Sequence, residues 1–295
     1  MNKAIKFLSV IALAMLLIGL VGAGLTARSY FNTAKGVDIL DIREISDSNF
    51  SEVEVSADNA RIKITATNDE KARVELTGKV QEKHQDRTKL AVTVENDKLK
   101  IKQESTYHPW FNINLFDLLH PLEVIVYIPE QQYQSIIAEN TNGDVDIKSV
   151  KALNLELKSS NGTIKLNDAI TKSMKVETYN GSVKLKNIEA ESSWLKSSNG
   201  RIVLDYVTGQ LTGETYNGSI TAIVKDMDVP MDLKSNNGSV SIETESEPTN
   251  VRFTVSAHNG STNILDKYSN NSTIGNGDNE IQLSTYNGSI KVKQK

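Results

Sequence analysis

Asn142-Gly143-Asp144-Val145-Asp146-Ile147 and, 19 residues on, Asn161-Gly162-Thr163-Ile164-Lys165-Leu166 are two copies of the stretch that decides the fold. The Asn-Gly pair recurs at Asn180-Gly181, Asn199-Gly200, Asn217-Gly218, Asn237-Gly238, Asn259-Gly260 and Asn287-Gly288. The glycine intervals are 19, 19, 19, 18, 20, 22 and 28 residues. Self-similarity at a near-constant period marks a repeat architecture, in which each unit buries its apolar face only by stacking on its neighbours. Seven and five residues before each glycine the chain is mostly apolar, as at Leu155/Leu157 and Met174/Val176. Two and four residues after it the habit returns, as at Ile164/Leu166 and Val183/Leu185. Period-two alternation on both sides of Asn-Gly reads as strand, turn, strand with one buried face. Asn and Gly suit the positive φ of a sharp turn.

Two architectures fit that unit. In a meander Asn-Gly closes a two-residue hairpin. In a β-solenoid it is a corner, and equivalent residues of successive coils lie one above another. The column four residues before the glycine runs Glu139, Lys158, Glu177, Lys196, Glu214, Lys234. The column two before it runs Thr141, Ser160, Tyr179, Ser198, Tyr216, Asn236. Signs alternate, and large alternates with small, which is useful between nearest neighbours about 4.8 Å apart, where like charges repel and rings crowd. The pattern favours an all-β solenoid of about 19-residue Asn-Gly coils over 131–295, preceded by an irregular β region over 37–130.

The 295 residues are ample for a sizeable core, and the 38% hydrophobic, 24% charged composition is that of a folded chain. With no cysteine, disulfides and thiolate metal sites are excluded. Setting aside Lys3 and Lys6, 31 basic residues face 37 acidic ones, and no basic stripe suggests nucleic acid.

Lys3 and Lys6 precede an apolar run, Phe7–Leu25, interrupted only by Ser9. The run is nearly long enough to span a bilayer, and the positive-inside rule places residues 1–6 in the cytoplasm and the β region outside. The expected layout is a single-pass anchor in the cell membrane over 7–25 with a tether over 26–36. The alternative is a signal cleaved near Val21-Gly22-Ala23 or Ala27, giving a secreted protein. Within 37–130 the strand candidates are 51–56, 60–67, 72–78, 89–95, 98–103 and 122–128. Asp58-Asn59 and Asn96-Asp97 look like degenerate Asn-Gly turns. The aromatic stretch 107–116, with Trp110, Phe111 and Phe116, suits either a cap on the solenoid core or contact with a membrane or membrane-protein partner. Lysines on alternate positions of Ile290–Lys295 suit an edge strand.

Nothing carries enzymatic chemistry. His84, His108, His120 and His258 have no metal-ligand spacing, and phosphate-loop, nucleophile-elbow and zinc-protease motifs are absent. Asp144/Asp146 and Asp226/Asp228 pair on strand faces without the further oxygens of a calcium loop, so neither metal nor cofactor is expected. The candidate ligand-binding residues are Tyr179, Tyr216, His258 and Tyr286, outward in one column, with Trp194 on the same face. Tyr179 and Tyr216, with Trp194 to the side of their line and two residues nearer the strand start, are expected to form an apolar strip for an extended neutral glycan; the competing reading makes the rings props of the turns.

An amino-terminal apolar segment, an irregular β region, Leu122-Glu123-Val124-Ile125-Val126-Tyr127-Ile128-Pro129 and then the Asn-Gly coils together resemble the bacterial DUF4097 family, labelled "putative adhesin". The anchored layout looks like the LiaG-type proteins of Gram-positive cell-envelope stress systems. The resemblance implies a β-solenoid-like fold and a cell-surface role. The aromatic columns point to a non-enzymatic module that binds a cell-wall glycan or surface ligand; the alternative is an accessory protein of envelope-stress signalling that contacts a membrane partner through the 107–116 region. The resemblance supplies no catalytic residues.

Overall fold

The computed structural model describes residues 36–46, 49–105 and 120–295, with residues 15, 16, 19–22 and 24 nearer the amino terminus. Among the described residues no helix is long and apolar enough to cross a membrane. Most of the expected anchor Phe7–Leu25 lies outside them, as do Trp110, Phe111 and Phe116.

The chain is a two-sheet solenoid. Each coil sends one strand into a first sheet, turns at its Asn-Gly corner, and sends a second strand into the opposite sheet. Register follows the sequence period. Glu177 lies beside Lys158 on one side and Lys196 on the other, and Ile164 lies between Val145 and Val183. These ladders are parallel, which excludes the meander. Both sheets turn their apolar columns inward, so Leu155, Leu157, Val176, Leu195, Ile164, Val183 and Ile202 are wholly or almost wholly buried in one continuous core. Of the alternating charges, Lys158 closes on Glu139 at 3.1 Å and on Glu156 of its own strand at 2.8 Å.

The coils do not stack in chain order at either end. In the first sheet, Lys98–Ser105 pairs with Glu52–Ala57, which pairs with Gln132–Asn140. The first coil of the chain is therefore enclosed between two later ones. At the other end Met231–Ser235 pairs with Asn279–Thr285, which in turn pairs with Val251–Ala257. The last coil is inserted beneath the one that precedes it. Ile290–Gln294 is accordingly an interior strand between Val240–Thr244 and Thr262–Ile264, not the edge that its lysines suggest. Lys293 instead pairs with Glu243 at 2.9 Å. Past the enclosed first coil, Leu122–Pro129, Ala72–Gln81 and Gly36–Ile45 continue the second sheet with antiparallel pairing between successive strands.

The Asn-Gly corners work differently from a positive-φ turn. Neither residue of the coil pairs has positive φ. Glycine is needed because the backbones touch: a Cβ on Gly162 would lie 1.9 Å from the Gly143 carbonyl oxygen, and one on Gly200 1.8 Å from that of Gly181. The asparagines form a ladder on the outer rim. In the stacking order Asn59, Asn142, Asn161, Asn180, Asn199, Asn217, Asn237, Asn287, Asn259, each Nδ2 donates to the Oδ1 of the asparagine before it at 2.7–2.9 Å. Asn59 is thus the degenerate corner that its sequence suggests, with Ala60 in the glycine's place. Asn96-Asp97 is not: both have positive φ and close an antiparallel hairpin. A further pair, Asn276-Gly277, lies in the excursion between the end coil and the inserted one, and Gly277 has φ +70°.

Candidate functional site

Three residues before each coil glycine except Gly260 stands a buried polar side chain. Ser159 Oγ accepts from Gly162 N–H at 2.8 Å and donates to the Gly143 carbonyl at 3.1 Å. Thr178, Ser197, Thr215 and Ser235 repeat both bonds one coil at a time, and Asn140 does so with its amide. This inner column satisfies backbone groups that the tight corner would leave unpaired. It fixes the outer surface of the corner, one residue further on, where the candidate rings stand.

Along that surface the order is Thr141, Ser160, Tyr179, Ser198, Tyr216, Asn236, Tyr286, His258, set by the stacking rather than by the chain. Tyr179 and Tyr216 are 61% and 59% exposed and separated by the coil of Ser198, roughly 9.6 Å along the sheet at about 4.8 Å per coil. Tyr286 and His258 are adjacent and stack on each other, ring centroids 4.6 Å apart and 13° from parallel. Trp194 does not join the tyrosines. It stands four residues from Ser198 along its strand, roughly 13 Å off the column. The charged column of Glu177, Lys196 and Glu214 lies between, and Lys175 Nζ sits 5.5 Å from the indole centroid. The expected strip is therefore two tyrosines in line with a lone tryptophan to one side.

Tyr179 also closes one end of a groove of about 470 Å³ that runs along the stack. Its walls include Lys102, Glu139, Lys158 and Glu177, with Thr141, Ser160 and Ser198 between them. Lys158, bonded to Glu156 and Glu139, is held above the usual lysine range, while the groove as a whole, lined by Lys102 and Lys158 against Asp58, Glu139 and Glu177, keeps a slight acidic excess. At the far end Gln103 Oε1 accepts from Asp58 N–H at 3.2 Å, and its buried Nε2 has no partner among the described residues. The surface offers an aromatic face, hydroxyls and paired charges in a line, a set suited to sugar rings. Sequence reasoning missed this groove because its walls come from six different coils.

A second cavity, about 490 Å³, opens where the coils return from the second sheet to the first. Ile188, Val207, Val224 and Val229 contribute its apolar lining and Glu189, Asp226 and Glu245 its carboxylates. At its mouth Tyr206 has φ +57°, in a column where the other coils place Ser149, Asp168 and Asn187. Its hydroxyl donates to Glu245 at 2.5 Å.

The paired aspartates are used structurally. Asp144 accepts from Thr163 N–H, and Asp228 accepts from both Thr249 and Asn250, pinning one inserted loop to another. Among the described residues no cluster of His, Asp and Glu could hold a metal ion.

Similar folds occur in solved structures of low identity. A protein described as a putative adhesin from Bacteroides fragilis is 13% identical, with a TM-score of 0.44, covering 86% of this chain and 97% of its own. One described as a putative lipid binding protein from Parabacteroides distasonis is 14% identical, with a TM-score of 0.43, covering 87% and 96%. One described as a putative cell adhesion protein from Clostridium sporogenes is 12% identical, with a TM-score of 0.36, covering 88% and 100%. No curated protein shows significant sequence similarity to the chain. The family model described as Toastrack DUF4097 matches residues 50–293, so the chain belongs to the DUF4097 family that its Asn-Gly coils resemble.

Proposed function

We propose that the protein is a non-enzymatic surface binder, held in the cell membrane by Phe7–Leu25 with its solenoid outside, that takes an extended neutral glycan of the cell envelope along its stack. The observation that carries this reading is the alignment of exposed Tyr179 and Tyr216 with the groove that Tyr179 closes. A sugar ring can lie on an aromatic face while its hydroxyls reach the serines and charged groups of adjacent coils. The neutral class follows from charge: the groove's carboxylates outnumber its lysines, and the acidic excess of the chain likewise repels phosphate-rich polymers. The external location rests on Lys3 and Lys6 ahead of the apolar run.

The test is retention of the full-length protein, in detergent, on purified cell-wall polysaccharide. Tyr179→Ser with Tyr216→Ser should abolish retention while thermal unfolding changes little, because both rings are exposed. Retention that survives the double substitution would remove the proposal. Trp194→Ser, tested separately, shows whether the site extends across the charged column.

A further inference from the structure

Asn-Gly is the dipeptide most prone to spontaneous deamidation, since glycine has no side chain to hinder its nitrogen from reaching the neighbouring amide carbon. The reaction needs a glycine N–H free to lose its proton and an asparagine side chain free to turn its Cγ towards that nitrogen. A chain organised on Asn-Gly is therefore exposed to damage at each corner unless the fold withholds both freedoms.

The corners withhold them to different degrees. At Asn142, Asn161, Asn180, Asn199, Asn217 and Asn237 the side chain is bonded to the asparagines of both adjacent coils. The following glycine N–H is bonded to the buried side chain three residues before it. At Asn287-Gly288 the side chain is held on both sides, but the glycine N–H makes no hydrogen bond among the described residues. Asn259 ends the ladder, donating to Asn287 with nothing among the described residues donating to its Oδ1, and Ala257 stands where the other coils place a hydroxyl or amide. Asn276 is exposed and Gly277 is buried at φ +70°, and neither the Asn276 side chain nor the Gly277 N–H is bonded among the described residues.

We propose that Asn276-Gly277 is a deamidation site of this protein and Asn259-Gly260 a slower one, while the ladder and the inner polar column hold the six doubly bonded pairs against the same reaction. The Gly277 nitrogen gives its proton to solvent and attacks Asn276 Cγ. The new C–N bond forms as Nδ2, taking a proton from solvent, leaves as ammonia, and a succinimide remains. Water then opens either carbonyl to give aspartate or isoaspartate. Nothing is oxidised or reduced, and water is the only co-reactant. At Asn276 the product adds a negative charge beside Asp278, whose carboxylate is held by Asn250 at 2.8 Å. At Asn259 it replaces the ladder's terminal donor with an acceptor facing Asn287.

The experiment is incubation of the full-length protein in mildly alkaline buffer, folded and in urea, followed by peptide mapping with isoaspartate detection. In urea all pairs should react at similar rates. In the folded protein Asn276 should keep nearly its unfolded rate, Asn259 should follow, and the six held pairs should be slowed on the order of tenfold or more, since each bond must open before reaction. Asn161 or Asn180 reacting as fast as Asn276 in the folded protein would overturn the proposal, as would an Asn276 protected as well as they are.

Discussion

A Cβ built on Gly181 would lie 1.7 Å from the carbonyl oxygen of Gly162, one coil below. No rotamer relieves that overlap, because both atoms belong to backbone. Corner-to-corner contact between glycines is what sets the coils at sheet spacing on this side of the solenoid.

Gly181→Ala should therefore cost about 3 kcal/mol or more, at the severe end for single substitutions. Gly213→Ala is the control. It sits in a first-sheet strand, where its added methyl meets side chains rather than backbone, the end of Leu233 at 2.9 Å and Ile220 Cδ1 at 3.9 Å. Its cost should be near zero or slightly favourable, since alanine loses less backbone entropy on folding. Chemical denaturation of both variants measures the difference; equal effects would show that the corner contact is not limiting.

The inner polar column gives a second test at Ser197. Its hydroxyl accepts from Gly200 N–H at 2.9 Å and donates to the Gly181 carbonyl at 2.9 Å. Ser197→Ala leaves both backbone groups buried without that partner and should cost about 1–3 kcal/mol. Ser197→Thr, which restores the hydroxyl found at Thr178 and Thr215, should recover most of the loss in the same denaturation experiment.

The coil, its two strands and its buried columns were legible because period-two alternation repeats at a fixed interval. The reason for Asn-Gly was not. The dipeptide's usual hairpin chemistry points to positive φ, whereas here glycine answers to the coil below and asparagine to both adjacent coils. The inner polar column was visible as Asn140, Ser159, Thr178, Ser197, Thr215, Ser235 and Thr285 among otherwise apolar inward positions, and that regularity was the missed signal. Stacking order was not legible, because Phe253/Val255 and Ile281/Leu283 present the same inward pattern to a neighbour and could exchange places without changing it. The tyrosine column could be read from parity, but the distance of Trp194 from it follows only from counting residues along the strand.

Tyr133 supplies a pH test. Its ring is 1% exposed, stacks on Phe50 at 6.1 Å, and its hydroxyl donates to the Pro129 carbonyl at 2.8 Å. Burial pushes the phenol up to about 12. The folded state thus holds the proton more tightly than the unfolded chain, whose phenol titrates near 10. The stabilisation from this group is fully present below about pH 10 and is lost as pH rises towards 12. Unfolding midpoints followed through that interval should fall more steeply for the wild type than for Tyr133→Phe. Parallel curves would mean that the phenol titrates alike in both states.

The inserted final coil makes the last prediction, because it reverses the ordinary behaviour of a chain end. A carboxy-terminal strand in a stack built in chain order would be an edge and would fray. Here Ile290–Gln294 is paired on both sides, and Ile290 N–H donates to the Ser261 carbonyl at 2.9 Å while Leu265 N–H donates to that of Val292 at 2.9 Å. The edge falls instead to Thr262–Ile264, earlier in the chain. Native-state hydrogen exchange should show Ile290 and Val292 protected to the same degree as Val240 and Ile242, with the Thr262 amide, which faces the open edge, exchanging faster. Rapid exchange at Ile290 and Val292 beside slow exchange at Thr262 would return the coils to chain order. Removing residues 279–295 should therefore do more than shorten the solenoid: it takes out the layer to which Val251–Ala257 and Thr262–Ile264 are paired. The two strands of the preceding coil should lose protection together with it, and the unfolding transition should broaden or drop rather than shift by the increment of one terminal repeat.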